Sequence, residues 1–173
     1  FFEAEAFYGR VGDDGNDLLN GEAGNDRLLG GNGDDTVLGG DGNDYIEGGS
    51  GNDRIVRSAG RDSIFGGLGT DIVSFEENNC PVELDLSSPE SLSSLLGASL
   101  LNSIEGYSGS LFGDTLSGAQ FDDILFGNAG NDQMCGNGGA DRLFGEDGDD
   151  LLSGGDGFDF LFGGNDNDTV LGE

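Results

Sequence analysis

Residues 30–56 read GGNGDDTVL GGDGNDYIE GGSGNDRIV, one nine-residue phrase written three times in succession. A strict short period constrains a fold more than composition does, because each copy must make the same small structure and contact its neighbours in the same way. With the Asp of GND or GDD at position six, a first array of seven repeats runs from Gly12 to Ser74 and a second of seven from Gly109 to Leu171. Position six is then Asp17, Asp26, Asp35, Asp44, Asp53, Asp62 and Asp71, followed by Asp114, Asp123, Asp132, Asp141, Asp150, Asp159 and Asp168. Position eight is as strict: Leu19, Leu28, Val37, Ile46, Ile55, Ile64 and Val73, then Leu116, Leu125, Met134, Leu143, Leu152, Leu161 and Val170.

One inward apolar residue per nine, between mixed residues at seven and nine, predicts a three-residue strand. The six residues rich in Gly, Asn and Asp predict a turn, since Gly and Asn accept positive φ at small cost. Strand, turn, strand, turn closes a coil of eighteen residues. Stacked coils make two parallel sheets with the position-eight side chains between them. A single coil is too small to hold a core, so stability must come from its neighbours.

The acids need a separate reason. Turns on one side of such a stack repeat at about 4.8 Å, which would bring Asp35 above Asp17 and Asp53 above Asp35. Carboxylates stacked so closely repel one another. A hard divalent cation between them converts repulsion into binding, and calcium takes 6–8 oxygens from carboxylates and backbone carbonyls. Zinc would call for His or Cys, and magnesium for a stricter octahedron that keeps its water.

The phrases quoted above resemble the GGxGxDxUx repeat of the RTX (repeats-in-toxin, hemolysin-type) calcium-binding family, and the resemblance covers residues 12–74 and 109–171. It implies an all-β, right-handed parallel β-roll, with calcium held between each turn and the turn two repeats on. The position-six Asp would supply carboxylate oxygens, and carbonyls of the GGxG portion the rest. Carried onto this chain, the pairs are Asp17/Asp35, Asp26/Asp44, Asp35/Asp53, Asp44/Asp62 and Asp53/Asp71 in the first array. In the second they are Asp114/Asp132, Asp123/Asp141, Asp132/Asp150, Asp141/Asp159 and Asp150/Asp168. About ten ions would bring the net charge from -29 to about -9.

The arrays depart from the phrase in places. Arg57 stands at position one, and Phe112, Phe121 and Asp166 at position four. The turns with Asp114, Asp123 and Asp168 are therefore expected to be the least regular, and GSLFGDTLS and GAQFDDILF are expected to be entry turns that cap a block without metal. Residues 75–108 break the period. VELDL (82–86) alternates like a strand. Ser88-Pro89-Glu90 followed by Leu92, Leu95, Leu96 and Leu100 predicts a short helix. The expected domains are a flank at 1–11, a first block at 12–74, an interruption at 75–108, a second block at 109–171, and the opening of a further repeat at 172–173. The chain reads as a piece of a longer one.

Composition excludes several functions. The net charge is -29, with six scattered Arg as the only basic residues, of which Arg54, Arg57 and Arg61 alone lie close together. That is no footprint for nucleic acid. No apolar run approaches the ~20 residues of a membrane span, and no signal peptide is visible. With no His, there is no Ser-His pair, zinc-protease motif or His base. GYSGS (106–110) misses a nucleophile elbow by one residue, and catalysis within this chain is not expected. Cys80 and Cys135 leave open a disulfide or two unrelated small residues. Phe126, Phe144 and Phe162 recur every eighteen residues at position nine, so they should share one sheet, either as a surface for self-association or under another segment. The expected role is a calcium-binding module of a secreted bacterial protein, exported by type I secretion, that folds on meeting calcium and supports a larger parent. The alternative is a structural or adhesive segment of a surface layer, filament or adhesin.

Overall fold

A computed structural model describes residues 9–57, 60–88 and 101–172. The described residues form two units, one from the first block up to 73 with 101–104, the other 74–88 with 105–172. In each, strands pair in parallel with partners eighteen residues away, as in Gly9↔Arg27 and Leu125↔Leu143. The chain is thus an all-β parallel solenoid, and among the described residues there is no helix. The expected helix on Leu92, Leu95, Leu96 and Leu100 lies outside the described residues.

In the first unit, β1 (Gly9–Val11), β3 (Arg27–Asn32), β5 (Tyr45–Ser50), β7 (Ser63–Leu68) and β10 (Leu101–Asn102) form one sheet. The facing sheet holds β2 (Leu18–Asn20), β4 (Thr36–Leu38), β6 (Arg54–Val56) and β8 (Ile72–Ser74). In the second unit, β11 (Gly106–Ser108), β13 (Ile124–Ala129), β15 (Arg142–Asp147) and β17 (Phe160–Asn165) lie in one sheet. The other is β9 (Glu83–Asp85), β12 (Thr115–Ser117), β14 (Gln133–Gly138), β16 (Leu151–Asp156) and β18 (Thr169–Leu171).

The core is the position-eight column. Leu28, Ile46 and Ile64 stack in register, and all seven of these residues in the first array are buried. In the second array Leu116, Leu125, Met134, Leu143 and Leu152 are buried, while Val170 is 46% exposed. The interruption extends the same register. Leu84, from VELDL, pairs with Leu116, and Tyr107 pairs with Leu125; both are buried.

Two features differ from the sequence reading. Several strands, β3, β5, β7 and β13 to β17, run six residues rather than three. The ladder continues through positions one to three, where Gly31 pairs with Gly49 and Gly49 with Gly67, because backbones without Cβ atoms stack closely. Position nine is not outward everywhere, since Val56 and Ser74 are buried. Phe126, Phe144 and Phe162 do share one sheet in register. The first two stack at 4.8 Å with a 10° tilt, and Phe162 is 54% exposed. Cys80 and Cys135 are both free thiols.

Leu143 is completely buried in this column. Leu143→Ala should cost about 2–5 kcal/mol, from lost transfer energy and a cavity that the stacked backbone cannot close. Chemical denaturation in calcium measures it; a surface-like cost under about 0.5 kcal/mol would contradict the packing described.

Candidate metal sites

The turns carry the acid column, and stacking brings the expected Asp pairs together in a specific way. The backbone N–H of each Asp donates to Oδ1 of the Asp one coil further on. Asp17 donates to Asp35 at 2.8 Å, Asp26 to Asp44 at 2.9 Å and Asp35 to Asp53 at 2.9 Å. Asp44 donates to Asp62 at 3.0 Å and Asp53 to Asp71 at 2.9 Å. The second array repeats this from Asp114 to Asp132 (2.7 Å), Asp123 to Asp141 (2.8 Å) and Asp132 to Asp150 (2.8 Å). It continues from Asp141 to Asp159 (3.0 Å) and Asp150 to Asp168 (3.1 Å). One oxygen of each pair is therefore committed to main chain, which the sequence alone did not indicate.

The other oxygen is different. Oδ2 of Asp26, Asp35, Asp44, Asp53, Asp132, Asp141 and Asp150 is buried and meets no hydrogen-bond donor. These side chains are at most 3% exposed. An ionised carboxylate buried without a partner costs several kcal/mol, so this arrangement calls for a positive charge.

The space beside each oxygen is kept clear by the position-one glycine. A methyl group on Gly136 would run into Asp141 Oδ2 and lie 2.6 Å from the carbonyl oxygen of Gly154, one coil on. The same collision recurs at Gly127 with Asp132 Oδ2 and Gly145 O, and at Gly48 with Asp53 Oδ2 and Gly66 O. Each gap thus joins a free carboxylate oxygen to a carbonyl of the next turn. Among the described residues no three acidic, His or Cys side chains converge. The donor set is one carboxylate with main-chain oxygens, which suits a hard cation that binds oxygen and is undemanding in geometry.

A family model for the RTX calcium-binding nonapeptide repeat matches residues 11–46, 29–64, 47–79, 108–143 and 144–173. The chain belongs to the RTX calcium-binding repeat family. No curated protein matches it. RTX repeats bind calcium, and the free oxygens and glycine gaps of this chain fit that ion.

Not every expected residue offers a free oxygen to such a gap. Oδ2 of Asp17, Asp114 and Asp123 accepts a backbone N–H of its own turn, from Asp13, Ser110 and Ala119. Asp159 and Asp168 lie closest to their own position-one glycines, Gly154 and Gly163. Asp62 is buried, but Arg57 takes the place of its position-one glycine and places a guanidinium Nη2 3.4 Å from Gly60 O. Asp166 retains the left-handed φ of 74° that Gly adopts at position four, so its turn keeps the repeat conformation, contrary to the expected distortion.

A second RTX column went unread in the sequence. Position five is Asn or Asp in nine of fourteen repeats, and its Oδ1 accepts the N–H of position five one coil on. Asn16 accepts from Asp34 at 3.0 Å, Asn43 from Arg61 at 2.8 Å, Asn52 from Thr70 at 2.9 Å and Asp122 from Ala140 at 2.8 Å. Arg61, Thr70 and Ala140 act there only as main-chain donors, which is why other side chains are tolerated. The column looked like turn propensity; its regular spacing was the available signal.

Burial dominates the titration of the position-six acids. It lifts the Asp132 carboxyl from 3.8 to about 7 and that of Asp44 to about 6, against the lowering effect of the backbone N–H bond and with further upward pressure from neighbouring Asp. Asp53, Asp141 and Asp150 shift upward for the same first cause. Burial also raises Asp62, with the backbone N–H and then Arg57 pulling it down. A carboxyl raised on folding stabilises the fold below its unfolded value and loses that contribution as pH rises through the folded value. The calcium-free chain should therefore gain β-structure when pH falls from 7.5 to 5, still above the isoelectric point of about 4.1. Circular dichroism in EDTA checks this; a spectrum unchanged across that window would contradict the buried-carboxylate account.

Proposed function

We propose that this chain is a calcium-responsive folding module of a secreted bacterial protein. The observation that carries the reading is the set of seven buried carboxylate oxygens without a donor, those of Asp53, Asp132 and Asp141 each beside a glycine-only gap and a carbonyl of the next coil. Calcium, when bound, supplies the positive charge that these oxygens lack. Without it the Asp columns oppose the stacking that buries the position-eight core, so binding free energy becomes folding free energy. The low-calcium interior of a cell would favour the unfolded, exportable chain, and the calcium-rich exterior the roll. RTX proteins are typically secreted by bacteria, and no helix among the described residues is long and apolar enough to cross a membrane. The RTX roll is a structural calcium-binding fold rather than a catalytic one. In this reading the module supports a larger parent and performs no catalysis itself; the absence of His fits that role.

A second reading rests on the aromatic surface of the second unit. Phe158 is 95% exposed, Phe160 55% and Phe162 54%. Phe160 lies 5.7 Å from Phe144, and a cleft beside them is lined by Asp122, Arg142, Phe144 and Phe158. Lateral assembly in calcium would use such a surface. Sedimentation at rising protein concentration in calcium distinguishes the readings: a persistent monomer excludes the second.

Calcium counting by flow dialysis tests the first reading. Gly136→Ala should lower the number of bound ions by at least one, since its methyl enters the gap between Asp141 Oδ2 and Gly154 O. Gly138→Ala should leave the count unchanged, because its methyl would meet only the flexible Gln120 side chain, at 3.3 Å. Equal counts for Gly136→Ala and the unmodified chain would contradict the placement of the sites.

A further inference from the structure

We propose that the opening coil of the second array, residues 109–126, is sealed by hydrogen bonds and holds no cation, so that calcium binding in this array begins at Asp132 and Asp141. The proposal rests on the calcium reading of the open turns and refines it, dividing the repeats by backbone conformation instead of by the presence of Asp.

The dividing feature is position two. In the turns whose Asp Oδ2 is free, that residue is left-handed, with φ of 78° at Asn128, 74° at Asn137, 81° at Glu146 and 118° at Gly31. Its N–H does not reach the carboxylate. Ser110 and Ala119, which hold position two in the opening coil, are not left-handed. Their N–H groups turn inward and donate to Oδ2 of Asp114 at 2.6 Å and of Asp123 at 2.7 Å. Residue type does not dictate this difference, because Glu146 is left-handed where Ser110 is not.

Asp114 is committed on both oxygens. Its Oδ1 also accepts Val82 N–H at 2.6 Å and Ser110 Oγ–H at 2.8 Å. The side chain is 2% exposed, yet its charge is met entirely by donors of the protein.

The position-one carbonyls of this coil are taken up as well. Asn128 Nδ2 donates to Gly109 O at 2.8 Å and lies 3.3 Å from Ser110 O. Asn137 Nδ2 donates to Gly118 O at 2.8 Å and to Ser117 Oγ at 3.0 Å. An amide N–H₂ is a donor, so it satisfies carbonyl oxygens in the way a cation would and leaves them unavailable to one. In the first array position two is mostly glycine, which offers no such amide. Phe112 and Phe121 fit the same division: at position four they are not left-handed, whereas Gly130 and Gly139 one coil on have φ of 120° and 127°.

Crystals of the full chain grown in calcium and soaked with terbium, a calcium substitute with strong anomalous scattering, test the proposal. The anomalous difference map should show peaks about 2.3–2.6 Å from Oδ2 of Asp132 and Asp141, at the distance for calcium-like ions. It should show none beside Asp114 or Asp123, and the Asn128 and Asn137 amides should remain on the Gly109 and Gly118 carbonyls. Peaks beside Asp114 or Asp123, with those amides displaced, would overturn the sealed coil while leaving the calcium reading intact. A map without peaks beside Asp132 and Asp141 would overturn the calcium reading, and the proposal with it.

Discussion

A carboxylate oxygen buried without a donor is the interaction on which the rest of this structure depends. The roll places one at turn after turn, on Asp35 and Asp53 along one edge of the first unit and on Asp26 and Asp44 along the other. Burial of the apolar column contributes on the order of 1.5–3 kcal/mol per side chain. Leaving an ionised carboxylate unpaired costs an amount of the same order or larger. Core and turns therefore oppose each other unless the turns acquire positive charge. The protein has little of its own to give, with six Arg against 35 acidic residues.

The same opposition explains the glycines. Position one must lack a side chain because the space in front of it is where oxygen meets oxygen across two coils. A methyl there would close the gap, as the contacts of Gly127 and Gly136 demonstrate. Position four needs the left-handed region, which Gly15, Gly33 and Gly51 adopt and which Asp166 shares at a cost. Function thus shapes the turn in two ways, by what must be absent and by which way the peptide must face. Arg57 breaks the first condition, and Phe112 and Phe121 break the second.

Much of the fold was legible because a nine-residue period leaves little freedom. Leu28, Ile46 and Ile64 had to share a layer once they fell eighteen residues apart, and Phe126, Phe144 and Phe162 had to share a sheet. Even Leu84, in the irregular segment, announced its strand through the alternation of VELDL. The division of labour between the two oxygens of each Asp was not legible. It depends on coil spacing that lets one main-chain N–H reach Oδ1, and residue type does not record this. Phe112 and Phe121 set Asp114 and Asp123 apart from Asp132 in the sequence, but the φ angles of Ser110 and Asn128 that make the difference were not legible there. Unusual residues at position four, Phe112 and Phe121, marked the exceptional turns without revealing how they close. Position five was read as turn propensity because Asn and Asp favour turns in any context; only the stacked structure shows Asn16 and Asn52 bonding to the next coil.

The turns need a cation before the core can form. The most direct measurement is far-UV circular dichroism of the EDTA-treated chain at neutral pH, titrated with calcium and, separately, with magnesium. The expected result is a disordered spectrum at the start and a cooperative change to β-structure with calcium that magnesium does not reproduce. A chain already β-structured in EDTA and indifferent to calcium would contradict it, for the buried oxygens would then be satisfied by something within the protein itself.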